Sequence, residues 1–173
     1  MSNTARILLS GEICEESVTY FMTEIRELVA LDMNANLFIH SNGGDFDAAC
    51  AIIDEMEGFK KYIDINTIAL GKAYSAGAMI LSFGTKRYMT KNSAIMLHPS
   101  SYEVPHDYHA MQKSLMEFHE QQYTAIMKQI AKNSGYEYNN FISSIGHGLW
   151  LNSKQALKLG FKDGIWDYQK ETL

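Results

Sequence analysis

Apolar positions along the chain switch repeatedly between a two-residue and a helical period. Residues 6–9 (RILL) form a short apolar run closed by Ser10-Gly11 and predict a strand. Across residues 16–31, Val18, Phe21, Met22, Ile25, Leu28 and Val29 recur at helical spacing. Residues 36–40 (NLFIH) return to a strand pattern, which Ser41-Asn42-Gly43-Gly44 is expected to break. Asp45 can cap the next helix, whose Ala49, Ile52, Ile53 and Met56 share one face. Residues 63–70 predict a third strand ending at Gly71, and residues 75–83 a buried helix rich in small side chains. Short strands at 87–89 and 94–97 precede a long helix from about Asp107 to Ala131. Its Met111, Leu115, Phe118, Ile126 and Ile130 form a stripe normally used for packing, and in a chain this small so long a helix can also project toward a partner subunit. Ser134-Gly135 ends it; helices at 138–145 and 153–159 and a strand near Ile165 follow. Recurrent strand–helix units imply right-handed crossovers and a largely parallel sheet covered by helices, an α/β class in one domain over residues 1–173.

Composition narrows the function classes. With 173 residues the chain can bury a real core, and 46% hydrophobic and 20% charged residues are ordinary for a globular protein. A net charge of −5 with no basic run speaks against a nucleic-acid surface and against binding to anionic lipid. The N-terminus has no signal-peptide pattern and no apolar run is long enough to cross a membrane, so a cytoplasmic protein is expected. Cys14 and Cys50 sit alone in patterned segments and read as reduced thiols.

Two stretches could carry chemistry. In Gly71-Lys72-Ala73-Tyr74-Ser75-Ala76-Gly77-Ala78 a strand gives way to a small-residue helix near Ser75. A serine there presents its hydroxyl at a helix N-terminus, where free N–H groups favour an oxyanion. Read alone, a plain helix cap with small residues for packing fits at least as well. The second stretch, Ser41-Asn42-Gly43-Gly44, can aim backbone N–H groups into a pocket or be a simple turn. His98, at the end of the 94–97 strand, is placed to accept a serine proton, whereas His40, also at a strand end, reads as a packed residue. His106 and His109 lack acidic or cysteine partners at a metal-ligand spacing, so neither metal nor cofactor is expected. Lys72 lies three residues before Ser75 but reads as a solvated lysine rather than half of a serine–lysine dyad.

Together these residues resemble a known family. HSNGGDFDAACAIIDEM, GKAYSAGAMILSFGTKRYMTKNSAIMLHP and WLNSKQALKLGFKDGI are similar, in order and spacing, to the proteolytic subunits of the Clp protease. The resemblance runs from about Arg6 to Ile165. It implies a ClpP/crotonase-like fold of repeated β-β-α and βα units with a projecting handle helix, and a serine endopeptidase acting on peptides or unfolded proteins. It implies Ser75 as nucleophile, His98 as general base, and the backbone N–H groups of Gly43, Gly44 and Ala76 as the oxyanion hole. The 101–107 stretch with the long helix matches the handle that interlocks two seven-membered rings into a tetradecamer, and a AAA+ unfoldase is the implied partner.

Two departures accompany the match. The position of the family's triad aspartate falls on Gly148, so the third triad member is open; a backbone carbonyl or Asn152 are alternatives, and Glu103, Asp107 and Asp163 match no motif. The chain also starts at its first strand, implying that the family's preceding helix and axial loops are missing. Gly148 motivates a second reading, a weak or inactive ring subunit that modulates active paralogues. An acyl-CoA enzyme of the related crotonase architecture is a third, for which the Ser75 and His98 pair is not needed.

Overall fold

The computed structural model of the chain describes residues 3–99 and 109–168, with side chains from 113 onward in the second stretch. Strands and helices follow in the order β1 (Thr4–Ile13), α1 (Glu15–Ala30), β2 (Asn34–Gly44), α2 (Phe46–Phe59), β3 (Ile65–Tyr74), α3 (Ala76–Leu81), β4 (Arg87–Met89), β5 (Ala94–Leu97), α4 (His109–Ser134), α5 (Tyr138–Ile145), β6 (Leu149–Asn152), α6 (Ser153–Lys158) and β7 (Gly164–Ile165). The strands β1-β2-β3-β4-β7 are all parallel, and β5 and β6 branch from β3. The fork is made within β3: Thr67–Ala69 pair with Arg87–Met89 of β4, and Lys72–Tyr74 pair with Ala94–Met96 of β5. β6 then runs antiparallel to β5. This is the expected α/β class with a largely parallel sheet.

Alternation along the strands sorts side chains to two faces. Ile7, Leu9, Leu37, Ile39, Ile65 and Ala69 join the main core with Phe21 and Ile25 of α1 and Ile52 and Met56 of α2. The register puts Leu8, Phe38, Ile68 and Tyr88 on the other face. There Phe38 meets Trp166 edge-on at 5.5 Å and stacks with Tyr168 at 6.3 Å, under the Arg6 guanidinium. Leu8 and Tyr168 on this face are each 49% exposed.

Three strands run beyond their expected ends. β1 passes Gly11 to Ile13, β2 includes Ser41-Asn42-Gly43-Gly44, and β3 passes Gly71 to Tyr74. Each extension is given hydrogen-bonding neighbours: Glu12 and Ile13 pair with Gly43 and Gly44, and Ser41 pairs with Ala73. Register shifts between Ser10 and Glu12 and between Ile39 and Ser41 absorb the irregular backbone. The glycines therefore bend the strands without ending them. Strand β6 was not expected; four residues carry little periodicity, and β5 supplies its ladder.

The apolar stripe of α4 divides in two. Met127, Ile130 and Ala131 are buried, whereas Leu115, Met116 and Phe118 are 38%, 55% and 54% exposed. The expected helix start at Asp107, the 101–107 stretch and the Met111 side chain lie outside the described residues. Among the described residues, no helix is long and apolar enough to cross a membrane.

Candidate active site

Ser75 occupies the sharp step from β3 into α3, with φ 52° and ψ −120°, a conformation seldom taken by a residue with a Cβ. Its surroundings hold it there. The Ser75 N–H donates to Met96 O of β5 at 2.7 Å, and its carbonyl accepts from Ala78 N at 2.9 Å and Met79 N at 3.0 Å. Strain over-determined in this way persists in the folded state and lifts the side chain clear of the backbone. The hydroxyl makes no capping bond to α3, so Ser75 does not act as a side-chain helix cap. All six residues of α3 are buried, and Gly77 lets the helix sit close to β2, since a Cβ there would lie 3.3 Å from Ser41 Cβ.

His98 follows β5 directly, and its Nε2 lies 2.8 Å from Ser75 Oγ. Its Nδ1 lies 2.6 Å from the carbonyl oxygen of Pro99. A carbonyl only accepts, so Nδ1 carries the proton and Nε2 offers its lone pair to the serine O–H. That is the tautomer a general base needs. Tyr123 of α4 donates its hydroxyl to His98 O at 3.1 Å.

Among the described residues, the other candidates for orienting His98 are engaged elsewhere. Gly148 has φ 81°, and a Cβ built there would lie 3.3 Å from Trp150 Nε1, so an indole edge stands where a side chain would point. Trp150 in turn meets Tyr74 edge-on at 5.2 Å. Asn152 Oδ1 accepts from Lys154 N and Gln155 N and caps α6. Asp163 Oδ1 accepts from Arg87 Nη2 at 2.9 Å, and Asp163 Oδ2 from the Arg87 backbone N–H at 2.8 Å. Burial would raise the Asp163 carboxyl, but hydrogen bonds and charge from Arg87 outweigh it and hold the group below its ordinary value. Lys72 Nζ donates to Asn42 Oδ1 at 2.8 Å, which braces the glycine turn and engages the lysine there. Glu103, Asp107 and His106 lie outside the described residues, as does the His109 side chain.

The glycine turn reaches the serine. A Cβ on Gly43 would lie 2.6 Å from Ser75 Cβ and 3.2 Å from Ser75 Oγ, and Gly43 has φ 106°, so only glycine fits this approach. The Gly43 N–H already donates to Ser41 Oγ at 2.9 Å, a partner that the residue pattern did not reveal. Gly44 is paired with Ile13 of β1. Ala76 opens α3, where the first N–H groups have no acceptor within the helix. Burial, followed by the charges of Asp47, Asp54 and Asp45, pushes the Cys50 thiol up to about 12, which keeps it protonated and inert. Among the described residues no cluster of three metal-ligating side chains occurs.

Sequence comparisons place the chain among known proteins. The family model described as Clp protease matches residues 1–169. The chain is 31% identical to ATP-dependent Clp protease proteolytic subunit 1 of Thermobifida fusca (strain YX), over 97% of this chain and 77% of that protein. It is 27% identical to the ATP-dependent Clp protease proteolytic subunit of Streptococcus uberis, over 93% of this chain and 84% of that protein. It is 30% identical to the proteolytic subunit 1 of Tropheryma whipplei (strain Twist), over 92% of this chain and 78% of that protein. A mixed α/β fold, a serine and histidine in hydrogen-bond contact, and a family match over nearly the whole chain lead to one conclusion: the protein belongs to the Clp protease family of serine endopeptidases.

Proposed function

We propose that Ser75 and His98 form the catalytic pair of a peptidase that cuts unfolded polypeptides and peptides by acyl transfer. The observation that carries this reading is the 2.8 Å contact from Ser75 Oγ to a His98 Nε2 whose opposite nitrogen is protonated against Pro99 O. Ser75 Oγ attacks the scissile carbonyl carbon while its proton passes to Nε2. The tetrahedral oxyanion is held by backbone N–H groups, with Ala76 N–H as the first donor. The Gly43 N–H joins if the Ser41 hydroxyl turns away, and Gly44 keeps the turn in place. Collapse expels the amine, which takes the proton from His98. A water molecule, deprotonated by Nε2, then attacks the acyl carbon and releases the carboxylic acid and free Ser75.

The Pro99 carbonyl replaces a carboxylate in one of its two duties. It fixes the tautomer, but it brings a dipole rather than a full charge to the imidazolium. In serine proteases, swapping the aspartate for its amide costs about 10⁴ in turnover because the wrong tautomer results. Here the tautomer is right, and the weaker acceptor lowers the rate only by about tenfold, the difference between charged and neutral hydrogen bonds.

The relatives are named as ATP-dependent proteolytic subunits. In keeping with them we place this chain in the cytoplasm, in heptameric rings stacked as a tetradecamer and fed by an ATP-driven unfoldase of the Clp type. Two apolar surfaces support an assembled state: Leu115, Met116 and Phe118 on α4, and the aromatic sheet face around Phe38 and Tyr168.

A fluorophosphonate probe tests the reading. The assembled protein should be labelled, and labelling should vanish in Ser75→Ala and fall sharply in His98→Ala. Gly148 favours a second reading, a non-catalytic ring subunit, and an assembled but unlabelled wild type would select it.

A further inference from the structure

The anchor of His98 is unusual in belonging to the next residue of the same chain, since Nδ1 meets Pro99 O at 2.6 Å. Such an anchor works only if the backbone between imidazole and carbonyl is held still. Besides the trans peptide bond, three dihedrals separate the His98 Cα from the Pro99 carbonyl: ψ of His98, φ of Pro99 and ψ of Pro99. The proline ring fixes the second. The first is restrained from α4, where Tyr123 donates its hydroxyl to His98 O at 3.1 Å. The ring of the same tyrosine lies 6.4 Å from that of Phe46, the first residue of α2. Asp45 alone separates Phe46 from Gly44, so the same side chain meets the His98 backbone and the start of α2, two residues past the glycine turn.

We propose that Tyr123 is a positioning residue: its hydroxyl clamps the His98–Pro99 backbone so that the Pro99 carbonyl can hold the imidazole in the Nδ1–H form. The proposal rests on the serine-peptidase reading and adds to it the device that fixes the tautomer, one of the two duties of a triad carboxylate. It also makes α4 part of the site, so a displacement of that helix is transmitted to His98 through the Tyr123 hydrogen bond.

Tyr123→Phe removes the hydroxyl and keeps the ring against Phe46. In the assembled protein, kcat on a fluorogenic peptide should fall about fivefold, as for one lost hydrogen bond, with KM nearly unchanged. Fluorophosphonate labelling should slow by the same factor. Nitrogen NMR of the imidazoles, with His98 assigned through His98→Gln, should show the Nδ1–H form of His98 losing population to the other tautomer. A merely structural tyrosine would lower the melting temperature and leave the tautomer alone. Wild-type kcat and an unchanged His98 tautomer in Tyr123→Phe would overturn the proposal. Loss of Ser75-dependent labelling in the wild type would instead overturn the peptidase reading, and the tautomer measurement would still decide the role of Tyr123.

Discussion

The two halves of β3 begin from the same kind of apolar strand sequence and finish with different tasks. Thr67–Ala69 lies between β2 and β4, and Thr67 is fully buried with its hydroxyl bonded to Leu81 O at 2.7 Å. The neighbouring β4 is clamped through Arg87, which reaches Asp163 and the Asn133 carbonyl. Five residues further along, the partner strand has changed to β5. The strand then ends in the strained Ser75, whose N–H is held by the same β5 that delivers His98. One half is scaffold and the other is site, and the exchange of neighbours makes the difference. A single continuous strand gives Ser75 a rigid base, while the fork beside it leaves room for His98 to approach.

That contrast can be broken most sharply with the two strand-end histidines. Both anchor Nδ1 on a carbonyl, His40 on Leu70 O at 2.7 Å and His98 on Pro99 O at 2.6 Å. Only His98 has Ser75 at its other nitrogen. His98→Ala should lower kcat by about 10³ or more. His40→Ala should leave turnover unchanged, and peptide hydrolysis by both variants checks the pair. A comparable loss in both would erase the distinction.

The next effect concerns the glycine turn. Gly43→Ala would press a methyl against Ser75 and disturb the oxyanion donors, so kcat should fall about 10²-fold. Gly58→Ala adds the same methyl to α2 where nothing lies within 4 Å, and it should raise stability by about 0.5–1 kcal/mol without touching turnover.

In the scaffold half, Arg87→Met should cost about 1–3 kcal/mol of stability, because Arg87 is largely buried and makes several charge-assisted bonds. Peptide hydrolysis per assembled subunit should stay the same. The sign with pH follows from Asp163, whose carboxyl is raised by burial but lowered further by Arg87, for a net depression. A depressed carboxylate stabilises the fold fully above its ordinary range and loses that contribution as pH falls through its folded value. Denaturant titrations should therefore show wild type losing its advantage over Arg87→Met below about pH 4.

A last variant sharpens the question of the triad carboxylate. Gly148→Asp puts a side chain where φ is 81° and an indole edge stands 3.3 Å away. It should lower stability by about 1–2 kcal/mol and leave kcat no higher. A rise in kcat would mean that the turn can deliver a carboxylate to His98 after all.

Much of this molecule is readable from residue order. Helix α1 was legible because six apolar residues repeat at helical spacing, and α2 because Asp45 stands where its carboxylate can accept from Ala48 N. Strands β4 and β5 fell on their expected residues, and so did α5. Ser75, His98 and the glycine turn could be singled out as candidates, since each is a chemically distinctive residue at a change of local period. Local pattern, however, carries no information on where a ladder finds its next partner. The overrun of β1, β2 and β3 past their glycines, and the existence of β6, were settled by hydrogen bonds between segments far apart in sequence. The site divides in the same way. Sequence alone determined which side chains could react, because a hydroxyl and an imidazole are properties of residues. Only the tertiary structure decided that they meet, and that backbone oxygens, which every residue possesses and no sequence pattern marks, hold Ser75 and His98 in place beside each other.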